Sequence, residues 1–219
     1  MAQVRTSRFW EFMTYRNRGN FWKKAGSAIN SGETIGILGG TGSAKTSLVQ
    51  LIPRLYDATE GTVTVGGVDV KEYDLTALRN SVAMVLQKNQ LFSGTIKDNL
   101  RWGDPNATDE EIVEAAKAAH AHSFIKRLPN GYDTVISDEN SGLSQGQKQL
   151  IAFARTILAD PKILVLDEAT SSIDAKTERY LQRGLNHLLK GRTSFIIAHR
   201  LSTVRECDRI MYISNKGIA

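Results

Sequence analysis

Residues 39 to 46 read Gly-Gly-Thr-Gly-Ser-Ala-Lys-Thr, a glycine-rich stretch that ends in a cation and a hydroxyl. The spacing is one residue away from Gly, four residues, Gly-Lys-Ser/Thr, and Ala44 alone departs from it. That pattern, the P-loop, suits phosphate chemistry. Backbone N–H groups of a tight loop at a helix N-terminus hold phosphate oxygens, a lysine reaches the outer phosphates, and a hydroxyl takes a magnesium ion. Gly39 and Gly42 would supply the tight loop, Lys45 the cation and Thr46 the metal hydroxyl. Gly40, Thr41, Ser43 and Ala44, with Ser47 after them, complete the phosphate-binding stretch. The alternative is a glycine-rich turn with a chance lysine. The flanks favour the first reading: Glu33-Thr-Ile-Gly-Ile-Leu is a short apolar strand and Lys45-Thr-Ser-Leu-Val-Gln-Leu-Ile begins a helix.

A magnesium-nucleotide hydrolase also needs an acid for the metal and a base for the attacking water. Both follow the apolar run Ile163-Leu-Val-Leu166 as Asp167 and Glu168. An acid at the carboxyl end of a parallel strand faces the crevice where open α/β sheets bind ligands. Asp167 is therefore expected to hold Mg²⁺ and Glu168 to polarise water. Strand ends are often polar, so the pair gains its weight from coexisting with residues 39 to 46.

Further signals come in a fixed order. Gln87 ends the strand Val82-Ala-Met-Val-Leu and precedes Leu91-Phe-Ser-Gly-Thr-Ile-Lys-Asp-Asn-Leu; Leu143-Ser-Gln-Gly-Gln147, Ser171-Ser-Ile-Asp174 and Ile197-Ala-His-Arg200 follow. With these the chain, over about residues 31 to 214, resembles the nucleotide-binding domain of ATP-binding cassette transporters, most closely the multidrug-exporter type. The resemblance implies a Q-loop at Gln87, touching metal and water, and a signature sequence at Ser144, Gln145, Gly146 and Gln147. It implies Walker B at Asp167 and Glu168, a D-loop reaching nucleotide through Asp174, and a switch histidine at His199. ATP and Mg²⁺ are the implied cofactors, and the implied fold is α/β, a P-loop NTPase (RecA-like) core with a mostly parallel sheet, an N-terminal antiparallel β-subdomain and an inserted helical subdomain.

Residue chemistry supports part of this independently. Ser144-Gln-Gly-Gln147 fits a Ser-x-x-Gln capping box, so Ser144 would start the helix continuing through Gln149-Leu-Ile-Ala-Phe-Ala-Arg, and helix starts attract anions. Read alone, it caps a helix. The resemblance implies that this end meets the γ-phosphate on the P-loop of a partner domain, in a head-to-tail dimer holding two ATPs. His199, a polar residue ending the strand Ser194-Phe-Ile-Ile-Ala, would by the same resemblance contact the γ-phosphate and orient Glu168 and water.

Composition bounds what remains. The chain has 219 residues, enough for one large α/β domain or a core with a subdomain. Nothing approaches the roughly 18 apolar residues of a membrane span, and Met1 opens no signal peptide, so the isolated chain is expected to be soluble. A single cysteine, Cys207, excludes an internal disulfide and fits a reducing cytosol. His120, His122 and His187 lack metal-site spacing; His120 and His122, two apart on one expected helix, would point away from each other. Net charge is +5, and residues 1 to 24 carry it: Arg5, Arg8, Arg16, Arg18, Lys23 and Lys24 stand against Glu11 alone. Such an end could meet nucleic acid, an anionic leaflet, or simply water on a sheet face. In the family an aromatic near here stacks on adenine; Tyr15 is the candidate, with Trp10 or Trp22 as alternatives.

The elements that must position these residues are legible as patterns. Apolar strands near 34–38, 82–86, 163–166, 194–198 and 209–213 alternate with helices, which predicts a mostly parallel sheet. Thr62-Val-Thr-Val-Gly-Gly-Val-Asp-Val predicts a hairpin around Gly66-Gly67, grouped with the N-terminal strands. Thr108-Asp-Glu-Glu111 predicts a capped helix with Ile112, Ala115, Ala116 and Ala119 on one face. The division expected is a core with β-subdomain over 1–94 and 158–219, and a helical subdomain over 95–157. The chain stops at Asn215-Lys-Gly-Ile-Ala219, short of the strands and helices that the resemblance implies, which leaves a fragment as one reading.

Three functions fit. The first is the ATPase motor of an exporter at the cytoplasmic face of a membrane. Its partners would be a second nucleotide-binding domain, identical or different, and a membrane-spanning domain coupled through Leu91 to Ile96. The second is a nucleotide-impaired regulatory domain, motivated by Ala44. A methyl at that position would meet phosphate oxygen or turn the backbone N–H away, a strain of about 1–3 kcal/mol, roughly 5- to 150-fold in affinity. Because Ala suits a helix start better than Gly, the chain would be slightly more stable than its Ala44→Gly variant. The third is a soluble relative acting on DNA or the ribosome. It ranks last, since only 97 residues separate Thr46 from Leu143 and leave no room for a long coiled coil; direct nucleic-acid contact is not expected.

Overall fold

In the computed structural model, which describes residues 12–14, 16–17, 20–21, 28–40, 42–86, 90–136, 142–167, 175–198, 204–214 and 217–218, each apolar run expected to be a core strand is one. Along the chain come β1 (Phe12–Thr14), β2 (Arg16–Asn17), β3 (Asn20–Phe21), β4 (Thr34–Gly39), α1 (Lys45–Gln50), β5 (Glu60–Thr62), β6 (Thr64–Val65), β7 (Val68–Asp69), α2 (Leu75–Asn80) and β8 (Val82–Val85). There follow β9 (Gly94–Thr95), α3 (Ile96–Arg101), α4 (Asp109–Ala118), α5 (His122–Ile125), a 3-10 turn (Gly131–Asp133), β10 (Val135–Ile136) and α6 (Gln145–Ala159). Then come β11 (Ile163–Asp167), α7 (Ala175–Leu189), β12 (Thr193–Ile197), β13 (Arg209–Ser214) and β14 (Gly217–Ile218). The described residues form two units, one within Met1–Met84, Lys162–Glu168 and Gly191–Ala219, the other within Val85–Pro161 and Ala169–Lys190.

The first unit is built on a six-stranded sheet of order β14-β13-β4-β12-β11-β8. Strands β13, β4, β12 and β11 run parallel, and β14 turns back antiparallel on β13. Parallel strands covered on both faces read as continuous apolar runs rather than alternating ones, and Ile163, Leu164 and Val165 are accordingly all fully buried. The register brings Asp167 level with Ile197, and Ile197 level with Ile37. The carboxyl ends of β11, β12 and β4 thus lie side by side, with β12 between the strand of the glycine loop and the strand of Asp167. Helix α1 has six residues, far too few to persist alone. Leu48, Val49, Leu51 and Ile52 are buried in the same core cluster as Ile35, Ile37 and Val165, and burial of each such side chain is worth about 1.5–3 kcal/mol. Packing, not propensity, fixes this helix and so aims the loop before it.

The hairpin at Gly66-Gly67 forms, with both glycines at positive φ (61° and 81°) as a two-residue turn of the primed kind needs. It pairs with itself, however, as β6 and β7; the strand that pairs with the N-terminal β1 is β5, just before it.

The second unit is mainly helical. Thr95, Thr108 and Ser144 each cap a helix through a capping box with Asp98, Glu111 and Gln147. Ile112, Ala115, Ala116 and Ala119 are buried as the pattern of α4 requires. The helix expected to carry both His120 and His122 ends earlier. Ala121 N donates to Ala116 O at 2.7 Å and His120 N to Lys117 O at 3.0 Å, while His120 takes φ 59°. This is a Schellman stop with histidine where glycine is usual. The ring of His120 stacks on Tyr180, centroids 5.9 Å apart, and His122 Nδ1 pairs with the Tyr132 hydroxyl at 2.9 Å.

Candidate phosphate-binding site

Strand β4 delivers the chain at Gly39 to the level of its neighbours' carboxyl ends, where it must turn sharply into α1. Gly39 has no alternative there: a Cβ would run into the Ile213 carbonyl oxygen and lie 2.7 Å from Ser43 Oγ. Gly42 turns the chain at φ 76°, and Ser43 N donates to Gly40 O at 3.1 Å, closing the loop on itself. Lys45, 7% exposed, bends back over this loop. Its Nζ donates to the carbonyl oxygens of Gly39 (2.9 Å) and Gly40 (3.0 Å) and, more weakly, to Ser43 Oγ (3.4 Å). Burial lowers the Lys45 ammonium from its ordinary range, and the negative charge of Asp167 opposes that shift. All three N–H groups of this ammonium are engaged by neutral acceptors of the loop, so it would take an anion by exchanging one or more of these bonds.

One residue on, Thr46 Oγ1 donates to Asp167 Oδ2 at 3.3 Å. The two residues are 121 apart in sequence and meet only because β11 and β4 lie in one parallel register. A hydroxyl and a carboxylate are the hard oxygen donors that Mg²⁺ prefers, so the residues present fit that ion. Ser47 follows on α1, half-buried.

Ala44 is the N-cap position of α1, with φ 61° and ψ 30°, and it offers no side-chain cap. Its carbonyl accepts the first helical hydrogen bond, from Leu48 N at 3.0 Å. One expectation changes here. The alanine sits before the helix in the left-handed region, where an L-residue is strained and glycine is not, so helix propensity gives it no advantage. Its methyl packs against the buried core cluster. The strain visible at Ala44 is one of backbone conformation.

Ser144, Gln145, Gly146 and Gln147 lie in the other unit. Ser144 Oγ accepts from Gln147 N (3.2 Å) and Gln147 Oε1 from Ser144 N (2.9 Å), and no acidic residue stands in the first turn of α6. The helix start is exposed at Ser144 and Gln145 and carries uncompensated positive dipole. The structure therefore brings Gly39, Gly40, Gly42 to Lys45, Thr46 and Asp167 together, and builds a second anion-seeking end at Ser144. Tyr15, Trp10, Trp22, Thr41, Gln87, Glu168, Asp174 and His199 lie outside the described residues. Among the described residues, no helix is long and apolar enough to cross a membrane.

A glycine loop between a central parallel strand and a helix, its lysine folded over the loop and its threonine meeting an acid from a strand two places away, defines a P-loop NTPase of α/β fold. The profile of the ABC transporter family matches residues 23–171. The chain belongs to that family and is one of its ATP-binding domains; members are generally ATPases. Among its relatives is the Bacillus subtilis protein that bears the name multidrug export ATP-binding/permease protein YgaD, 46% identical over 207 residues, or 94% of this chain and 36% of that protein. An ATP-dependent lipid A-core flippase of Chromohalobacter salexigens is 50% identical over 190 residues, 87% of this chain and 33% of the flippase. A solved structure of a bacterial Atm1-family ABC exporter with ATP bound superposes with a TM-score of 0.90 at 33% identity, over 100% of this chain and 39% of that one. The chain thus spans about a third of the length of the relatives it matches.

Proposed function

We propose that this domain binds and hydrolyses Mg-ATP and powers export by an ABC transporter through head-to-tail dimerisation of two such domains. The observation that carries the reading is the convergence of Lys45, Thr46 and Asp167 at one loop and one strand end. Lys45 turns from the loop carbonyls toward the outer phosphates. Thr46 and Asp167 would hold Mg²⁺, which when bound neutralises charge on the phosphate oxygens. Glu168 accepts a proton from the attacking water, with Gln87 and His199 orienting it, and Tyr15 stacks on adenine. In the dimer the Ser144 end of α6 and Asp174 face the nucleotide of the partner copy. The multidrug-export and flippase names of the relatives support an exporter, whose membrane-spanning part would meet Leu91 to Ile96 at the cytoplasmic face; the rest of the helical subdomain, 95–157, carries the signature end. No nucleic-acid partner is proposed.

A second reading, a domain that binds nucleotide weakly and turns it over little, is favoured by one observation, the left-handed backbone at Ala44. Turnover separates the two. Under the first reading the chain hydrolyses ATP, and Glu168→Gln slows it by about 10²–10⁴-fold, the range of a lost general base, while ATP still binds. Turnover at the parental rate in Glu168→Gln rejects the role of that residue; no turnover in the parent, restored in Ala44→Gly, selects the second reading.

A further inference from the structure

The signature helix is tied to the surface loop ahead of α3 by a side-chain joint. Asn99, on α3 and 1% exposed, uses all four of its amide hydrogen-bonding positions. Its Oδ1 accepts from Phe92 N (2.8 Å) and Arg155 Nη2 (3.1 Å), and its Nδ2 donates to Phe92 O (2.8 Å) and Thr95 O (3.0 Å). Both backbone groups of Phe92 are thus held by one side chain. Arg155, on α6, also donates Nε to the Asn99 carbonyl (2.9 Å), and its guanidinium lies over the Phe92 ring, 5.5 Å from the centroid. The same ring stacks on Trp102, 4.6 Å away and 64% exposed. Backbone packing closes the joint from below: a Cβ on Gly103 would collide with the Arg155 carbonyl oxygen.

The chemistry of Arg155 is unusual for a half-buried cation. Among the described residues no carboxylate pairs with it, and burial pushes its guanidinium below the ordinary range. A cation withdrawn from water onto neutral acceptors carries a net desolvation cost, yet its planar fork meets the carbonyl and amide oxygen of one residue in a fixed relative direction, which the rotatable donors of an ammonium do not impose. The planar fork fixes direction as well as distance, and that is what a joint transmitting displacement requires.

We propose that Asn99 and Arg155 are positioning residues that make the loop 91–95 and helix α6 move as one body, so that a displacement imposed at Phe92 reaches the helix start at Ser144. Arg155 stands eleven residues after Ser144 on the same uninterrupted helix, a lever of about 16 Å at 1.5 Å per residue. The inference rests on the reading that the loop meets a membrane-spanning partner and that Ser144 meets nucleotide, and it gives that reading a mechanical link: asparagine grips the loop, arginine grips the asparagine, and α6 carries the motion to its own first turn.

The test uses distances between spin labels on the whole chain, in a Cys207→Ser background, and needs no nucleotide. One label pair joins exposed Ser93 to exposed Gln145; a control pair joins Gln145 to exposed Glu110 on α4. The parent should give one narrow distance distribution for both. Asn99→Ala and Arg155→Met should broaden the Ser93 pair and leave the control narrow, a separation that general loosening would not produce. Asn99→Asp keeps the acceptors and loses both donated bonds, so it should broaden the Ser93 pair in a variant that keeps the volume of the side chain and its bond to Arg155; Arg155→Lys should fail to restore the parental width. An unchanged Ser93 distribution in Asn99→Asp, or equal broadening of both pairs in every variant, overturns the proposal. ATP titration of the same variants reports on Lys45 separately, so a chain that binds no ATP yet shows the selective broadening keeps the joint and loses the function.

Discussion

Ala44→Gly should leave the stability of the domain almost unchanged while tightening its hold on ATP. At φ 61° and ψ 30° the alanine Cβ crowds the following carbonyl, at a cost of about 1–2 kcal/mol. Glycine removes that strain but gives the unfolded chain more freedom, worth about 0.4–1 kcal/mol. It also removes a methyl packed on the core, for which full burial contributes about 0.8 kcal/mol. The terms nearly cancel, so stability moves by less than about 1 kcal/mol, a melting shift within about 4 °C for a chain of this size. Affinity follows a different ledger. Strain held by the loop both before and after phosphate binding drops out of Kd, and only the share that the free loop sheds must be restored. The ceiling is the whole strain, so glycine tightens ATP binding by at most about 30-fold, at tenfold per 1.4 kcal/mol. Calorimetric ATP titration and thermal melts of the two chains decide it. Weaker binding by the glycine variant, or a gain well beyond the ceiling, refutes the reasoning; the latter would mean that the methyl meets phosphate. Equality within a factor of about two also contradicts the expected gain: the strain then cancels between free and bound loop, and the impaired reading of the domain is rejected.

Ser144→Arg should leave ATP binding by the monomer intact and abolish ATP-dependent dimerisation seen by light scattering, because a bulky cation opposes both the fit and the positive helix end; equal loss of monomer binding would put Ser144 in the same copy's site. Burial pushes the Cys207 thiol up to about 11, with Asp208 and Glu206 adding to the shift. The folded value lies above the unfolded one near 8.5, so the stability it contributes is complete below about pH 8.5 and is lost as pH rises toward about 11. Melting temperatures across that window should fall less steeply in Cys207→Ala than in the parent; parallel curves would show that the thiol does not contribute.

The strands of the core were legible because burial on both faces leaves them as unbroken apolar runs, and Asp167 was legible because a charge ends such a run. Capping boxes at Thr108 and Ser144 are local chemistry, three residues wide, and survive folding unchanged. What escaped the sequence depends on dihedral angles or on distant partners. Nothing in the string Ser-Ala-Lys says that Ala44 is left-handed, so its helix propensity misled. His120 stops a helix without the glycine that would have announced it, where its ring also stacks on Tyr180. Asn99 and Arg155, 56 residues apart, each look like ordinary helix residues until α3 and α6 pack.

Whether Lys45, Thr46 and Asp167 act as one Mg-ATP site is decided by ATP affinity with and without Mg²⁺ in the parent, Lys45→Ala and Asp167→Asn. Mg²⁺ should tighten ATP binding by the parent, Asp167→Asn should keep the metal-free affinity but lose the gain, and Lys45→Ala should weaken binding under both conditions. Parental affinity in Lys45→Ala, or a full magnesium gain in Asp167→Asn, would contradict a single site.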